Sequence, residues 1–190
     1  MSDLLLEPTS TAQWRQLVTD AQTSAHPRLD EELESYLVFL LMRFTHTPQV
    51  VMSIVALDYL ESQLAHGKVR HERLREVGDR CLLFSGLFPQ LARRRHVSAD
   101  YYVNLGQGAY AELSGTLSHS LGSMYRHLAQ GFVSLMDVLQ NMRRLGSRQP
   151  LLEPLHALEL WSRTGSRGAW ADLQAVSTGT PVVPENNQPH

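Results

Sequence analysis

The chain has 190 residues, with 17 basic and 19 acidic side chains and a formal charge of −2. That length fits one well-buried core and leaves no room for two ordinary domains with a linker. A chain so close to neutral has no global field with which to attract nucleic acid or anionic lipid. Cys81 is its only cysteine, which excludes an internal disulfide and a multi-thiolate metal site and points to a reducing, cytoplasmic setting. The opening residues MSDLLLEPTS lack the basic start and apolar run of a secretory leader. No segment approaches about 18 uninterrupted apolar residues, so no membrane span is expected.

Helix signals follow one another along the chain. Ser10 and Gln13 form a capping box before Trp14, Leu17, Val18 and Ala21 at helical spacing. Pro27 precedes an acidic first turn, Asp30 to Glu32, that suits the positive end of a second helix over about 28–45. Apolar residues surround that helix from Tyr36 to Phe44, which predicts a central, buried position. Thr47 and Pro48 start a third helix running to Leu64, with Val51, Ile54, Val55 and Tyr59 or Leu60 inward, and Gly67 ends it. The fourth, about 69–85, carries Val69, Leu74, Val77 and Cys81 at helical spacing and turns His71, Glu72 and Arg75 outward; Gly86 and Pro89 then break or kink it.

Ser98 is the expected cap of a fifth helix, about 99–116, with Tyr102, Leu105, Ala109 and Leu113 on one stripe. The sixth, about 119–145, steps by four and three through Leu121, Tyr125, Leu128, Phe132, Leu135, Leu139 and Met142, a seam that suits nearly parallel helix packing. Left uncovered, that seam becomes a homodimer interface; burial in the core is its default use. Two shorter helices, about 151–163 and 168–175, are separated by Gly165. No period-two alternation with hairpin chemistry appears. The expected fold is all-α, a single-domain bundle of six to eight helices over residues 1–176, followed by a disordered tail over 177–190 rich in Pro, Thr and Asn.

Residues 76–113 interrupt this plain helical background with Gly78, Gly86, Gly106 and Gly108, and with Asp79, Asp100, Tyr101, Tyr102 and Tyr110. Glycine inside a helix costs about 1 kcal/mol relative to alanine, so something must offset it. In the fifth helix the glycines, with Ala109 and Gly115, let either a ligand or, more simply, a neighbouring helix approach closely. Asp79, flanked by Val77, Cys81, Leu82 and Leu83, must be paired or protonated if it faces inward. Tyr101, Tyr102 or Tyr110 can supply a hydroxyl, and Arg80 or Arg93 to Arg95 a charge. The plain reading is a structural bond that fixes the kink; the functional one is a pocket lined by Asp79, Ser85, Asp100, Tyr102 and Tyr110. On that functional reading the chain is a helical binding protein whose partner is a small molecule or another protein.

Two rival readings use other residues. A metal- or cofactor-dependent helical enzyme would draw ligands from Glu112, His119, His127, Glu153 and His156. The Glu153 to His156 spacing matches one half of a di-iron motif, but its second copy is missing and no particular cofactor is signalled. Nucleic-acid binding would use Arg93 to Arg95 with Arg143, Arg144 and Arg148, against the grain of the overall charge. Nucleophile-elbow and phosphate-loop glycine patterns are absent.

Gly78-Asp79, Phe84-x-Gly86-x-Phe88, Asp100-Tyr101-Tyr102 and Gly106-x-x-Ala109-Tyr110 together resemble the pattern of a group of bacterial helical proteins to which no activity is assigned. The resemblance covers this central segment alone. It implies a bacterial source and adds no mechanism.

Overall fold

A computed structural model of the chain describes residues 10–23, 28–46, 55–146 and 151–176. Among the described residues every regular element is a helix: α1 (Ser10–Thr23), α2 (Glu31–His46), α3 (Val55–Leu64), α4 (Gly67–Leu87), α5 (Gln90–Arg94), α6 (Tyr101–Thr116), α7 (His119–Leu145), α8 (Pro154–Thr164) and α9 (Arg167–Val176). The all-α expectation therefore holds. The ninth helix is the short α5, which occupies what the sequence presents as a break after Gly86 and Pro89. The helix start expected at Thr47 and Pro48 and the tail from Ser177 lie outside the described residues.

The centre of the bundle is α4, α6 and α7, packed against one another. From Leu74 to Gly86, α4 is buried on nearly every side, and along α7 the four-and-three steps place Leu128, Phe132, Leu135 and Leu139 wholly in the interior. Each such side chain contributes about 1.5–3 kcal/mol by leaving water. The seam is thus core, and it offers no open dimer face along its middle.

Close approach among these three helices depends on small residues. A Cβ on Gly106 would sit 2.5 Å from the Phe132 ring and 2.7 Å from Cys81 Cβ, and one on Gly78 would run into the Tyr110 ring. Gly108, two residues on and on the opposite side of the helix, faces open space. The glycines of the central segment therefore divide into packing positions and positions where nothing touches.

Around this centre, α3 lies on α4, the α1–α2 pair lies on α7, and α8 and α9 pack together with α9 also against α7. The rings of Trp161 and Trp170, 4.6 Å apart, join α8 to α9, and Gly165 closes α8 in the left-handed conformation at φ 70°.

Two expectations need correction. The second helix is peripheral: Leu33, Leu37, Val38, Leu40 and Leu41 face inward, but Phe39 is 64% exposed. Counting apolar residues around a helix does not reveal which face lacks a neighbour. Ser98 is also not the cap of the helix after it. That helix begins at Tyr101 with Asp100 at the N-cap position, and the Asp100 side chain makes no capping bond to the helix backbone.

Candidate functional site

The segment of α4 that is buried on nearly every side carries a carboxylate within it. Asp79 is 2% exposed, and a buried carboxylate is tolerable only when its oxygens are satisfied. Tyr36 from α2 and Tyr110 from α6 each donate a hydroxyl to Oδ1 at 2.6 Å, while the Arg43 guanidinium from α2 pairs with Oδ2. Gly78 makes this possible. With no side chain at that position, the Tyr110 ring lies across α4 and delivers its hydroxyl to the next residue.

Tyr125 from α7 completes an aromatic cluster, its ring 6.4 Å from Tyr36 and 5.9 Å from Tyr110. Burial, then the charge of Asp79, raises the pKa of both Tyr36 and Tyr110 well above the ordinary phenol value. Both therefore stay protonated and act as donors. At Arg43 burial opposes the charge, but the neighbouring Asp79 outweighs it and the pKa rises.

A cleft of about 170 Å³ opens beside this node, lined by Leu40, Arg43, Phe44, Arg75, Glu76, Asp79, Arg80 and Leu83. Leu40, Phe44 and Leu83 give it apolar walls. Arg80 reaches Asp58 at 2.5 Å and Glu76 at 3.5 Å, and Arg43 is 47% exposed at the mouth. The cleft thus combines an apolar lining, a fixed carboxylate and several guanidinium groups, the makings of a small-molecule site.

Of the five residues expected to line one pocket, Asp79 and Tyr110 come together and the other three do not join them. The Ser85 hydroxyl turns back onto its own helix, donating to the Cys81 and Leu82 carbonyl oxygens at 2.8 and 3.2 Å. Ser85 and Tyr102 flank a separate void of about 10 Å³, room for one water at most. Tyr102 packs edge-on against Phe84, with ring centroids 5.3 Å apart. Asp100 sits at the start of α6, accepting from Asn104 at 2.8 Å and from Arg163 at 3.2 Å, which ties α6 to α8. Burial works against its charge, and the hydrogen bonds prevail and lower its pKa.

Sequence reasoning missed Tyr36, Arg43 and Arg75. Tyr36 and Arg43 are seven residues apart, two turns along one face of an otherwise apolar helix. That paired polar signal was available in the sequence. Arg75 was expected to point outward and instead lines the cleft.

The residues of the metal reading are dispersed over separate networks. Glu112 accepts from Tyr59 at 3.0 Å, from Gln63 and from Arg70, joining α3, α4 and α6. His127 bonds Asp30 and Glu32 through opposite ring nitrogens, each at 2.7 Å, so these donors do not converge. Glu153 pairs with Arg93, and His156 borders the small void near Ser85. Among the described residues, no group of three or more His, Cys, Asp or Glu is placed to hold a metal ion.

The basic run is largely engaged as well. Besides the Arg93 pair, Arg95 lies over the Phe84 ring at 5.9 Å, Arg143 donates to the Leu87 carbonyl at 2.5 Å, and Arg144 bonds Asp172. Arg148 lies outside the described residues. Among the described residues no helix is long and apolar enough to cross a membrane. Comparison of the chain with protein-family models, curated proteins and solved structures gives no match.

Proposed function

We propose that this chain is a binding protein whose ligand is a small molecule seated in the cleft beside Asp79. The observation that carries this reading is a carboxylate held by side chains from other helices and left bordering an open, apolar-walled cleft. A purely structural bond would gain by being sealed. Tyr36, Tyr110 and Arg43 hold the floor of the cleft in place, and Leu40, Phe44 and Leu83 exclude water from an apolar ligand body.

Cytoplasmic residence belongs to the same reading, supported by the single cysteine, whose thiol is buried and pushed up in pKa by that burial. A bacterial source rests on the pattern of the central segment. A partner protein is the second reading, favoured by Leu57, Leu60 and Leu64, which form an exposed stripe along α3.

An amide-resolved NMR titration with a small-fragment library tests the proposal. Shifts concentrated at residues 40–44 and 75–83 are expected. Shifts confined to the α3 stripe on adding cell-derived proteins, with no fragment moving the cleft residues at millimolar concentration, would replace it with the partner-protein reading.

A further inference from the structure

We infer that the ligand of the Asp79 cleft carries a compact carboxylate on a small apolar body, and that Arg75 is the residue that recognises the carboxylate. This rests on the reading of the cleft as the binding site. Three guanidinium groups and two carboxylates line the cleft, and the two carboxylates are already engaged. Arg43 pairs with Asp79, and Arg80 takes Glu76 together with Asp58 from α3.

Arg75 is different. It alone of the three has no carboxylate partner among the described residues, and its Nε–H, like that of Arg80, is buried without an acceptor. A buried donor left unmade is costly, and more so on a charged group. An entering anion would satisfy it and would form a charge-assisted bond of the kind guanidinium groups make best. A cationic ligand would instead have to displace Arg43 or Arg80 from an existing pair.

Size and lining narrow the class further. The cleft of about 170 Å³ is comparable to the roughly 150 Å³ cavity that accommodates benzene. Walls from Leu40, Phe44 and Leu83 favour an apolar ring or short chain behind the charged end. An inorganic phosphate has no apolar part to use those walls, and its charge exceeds what one uncommitted guanidinium matches.

Isothermal titration of the full chain at low salt with benzoate, benzyl alcohol and inorganic phosphate, compared across the natural protein and Arg75→Gln, Arg75→Lys and Arg167→Gln, tests this. Arg167 is exposed on α9 and serves as the charge-matched control. Benzoate should bind at least tenfold more tightly than benzyl alcohol, and Arg75→Gln should remove about that factor for benzoate while leaving the alcohol unchanged. Arg75→Lys should retain part of the benzoate preference, since it keeps the charge and loses the fork; Arg167→Gln should change nothing. Equal binding of benzoate and alcohol, or benzoate binding indifferent to both Arg75 variants, overturns the carboxylate inference and leaves the cleft as a site. Phosphate binding as tightly as benzoate overturns the requirement for an apolar body. Absence of binding by all three probes removes the inference and the cleft reading together.

Discussion

Two aspartates, Asp79 on α4 and Asp137 on α7, are each only 2% exposed, yet they are stabilised in different ways. Asp137 is served mainly by the start of α9: Ser166 donates its hydroxyl at 2.5 Å and Arg167 its backbone N–H at 2.9 Å. Beside it, Arg144 spends its donors on Asp172, Asn141 and the Gly168 carbonyl, and Asp172 also receives the Leu152 N–H at 3.1 Å. Asp79 takes its bonds from side chains alone, two hydroxyls and one guanidinium. A carboxylate fastened to backbone closes a helix end and cannot be released without unravelling it. A carboxylate held by side chains, one of them the half-exposed Arg43, can change partners while the helices stay in place. This difference is why the Asp79 node is a candidate site and the Asp137 node a staple.

The largest expected effect is at Asp79 itself. Asp79→Ala should cost about 2–5 kcal/mol in urea unfolding, because it strands the two tyrosine hydroxyls inside the bundle and frees the half-exposed Arg43 guanidinium. A cost below about 1 kcal/mol would mean that the node contributes little, and the contrast with Asp137 would collapse. Next comes Gly78→Ala, expected to cost about 1–3 kcal/mol by forcing the Tyr110 ring off its seat. Gly108→Ala is its control: with nothing within 4 Å of the added methyl, it should stabilise α6 by about 0.5–1 kcal/mol. Similar losses for the two glycines would show that close approach at Gly78 is not what positions Tyr110.

A smaller effect is expected where α2, the helix that carries Tyr36 and Arg43, is fastened to α7. His127 lies between Glu32 and Asp30, and the hydrogen bond that its protonated ring donates to Glu32, with the charge of Asp30, raises its folded pKa above the ordinary 6.5 against the opposing effect of burial. The stabilisation from charged His127 is therefore fully present below about pH 6.5 and is lost as pH rises through the raised folded value. The group is 36% exposed, so solvent and salt limit the gain to under about 1 kcal/mol. Melting temperature measured across pH 5 to 9 should fall over that window in the natural protein and not in His127→Gln; a parallel fall in both would place the titration elsewhere. The smallest loss belongs to Arg75→Gln, which should cost no more than about 0.5 kcal/mol, because it breaks no ion pair and removes a buried donor that has no acceptor.

Much of the bundle was legible because it follows from local rules. Helical spacing and glycine punctuation marked α4, α6 and α7, and the need to satisfy a buried Asp79 pointed to Tyr101, Tyr102 or Tyr110, of which Tyr110 is the donor. The rest of the node was harder to read because it comes from far along the chain: Tyr36 and Arg43 meet Asp79 across separations of 43 and 36 residues. Grouping Ser85, Asp100 and Tyr102 with Asp79 failed for a different reason. Nearness in sequence and a shared polar character do not put side chains on one face, and the Ser85 hydroxyl, like many helical serines, satisfies itself on its own backbone.

A crystal structure of the full chain grown or soaked with benzoate measures the central claim most directly. The account predicts the ring between Leu40, Phe44 and Leu83, its carboxylate on the Arg75 guanidinium, and Asp79 still held by Tyr36 and Tyr110. An empty cleft at saturating benzoate, or a closed one in which Arg75 has turned away to solvent, would contradict it.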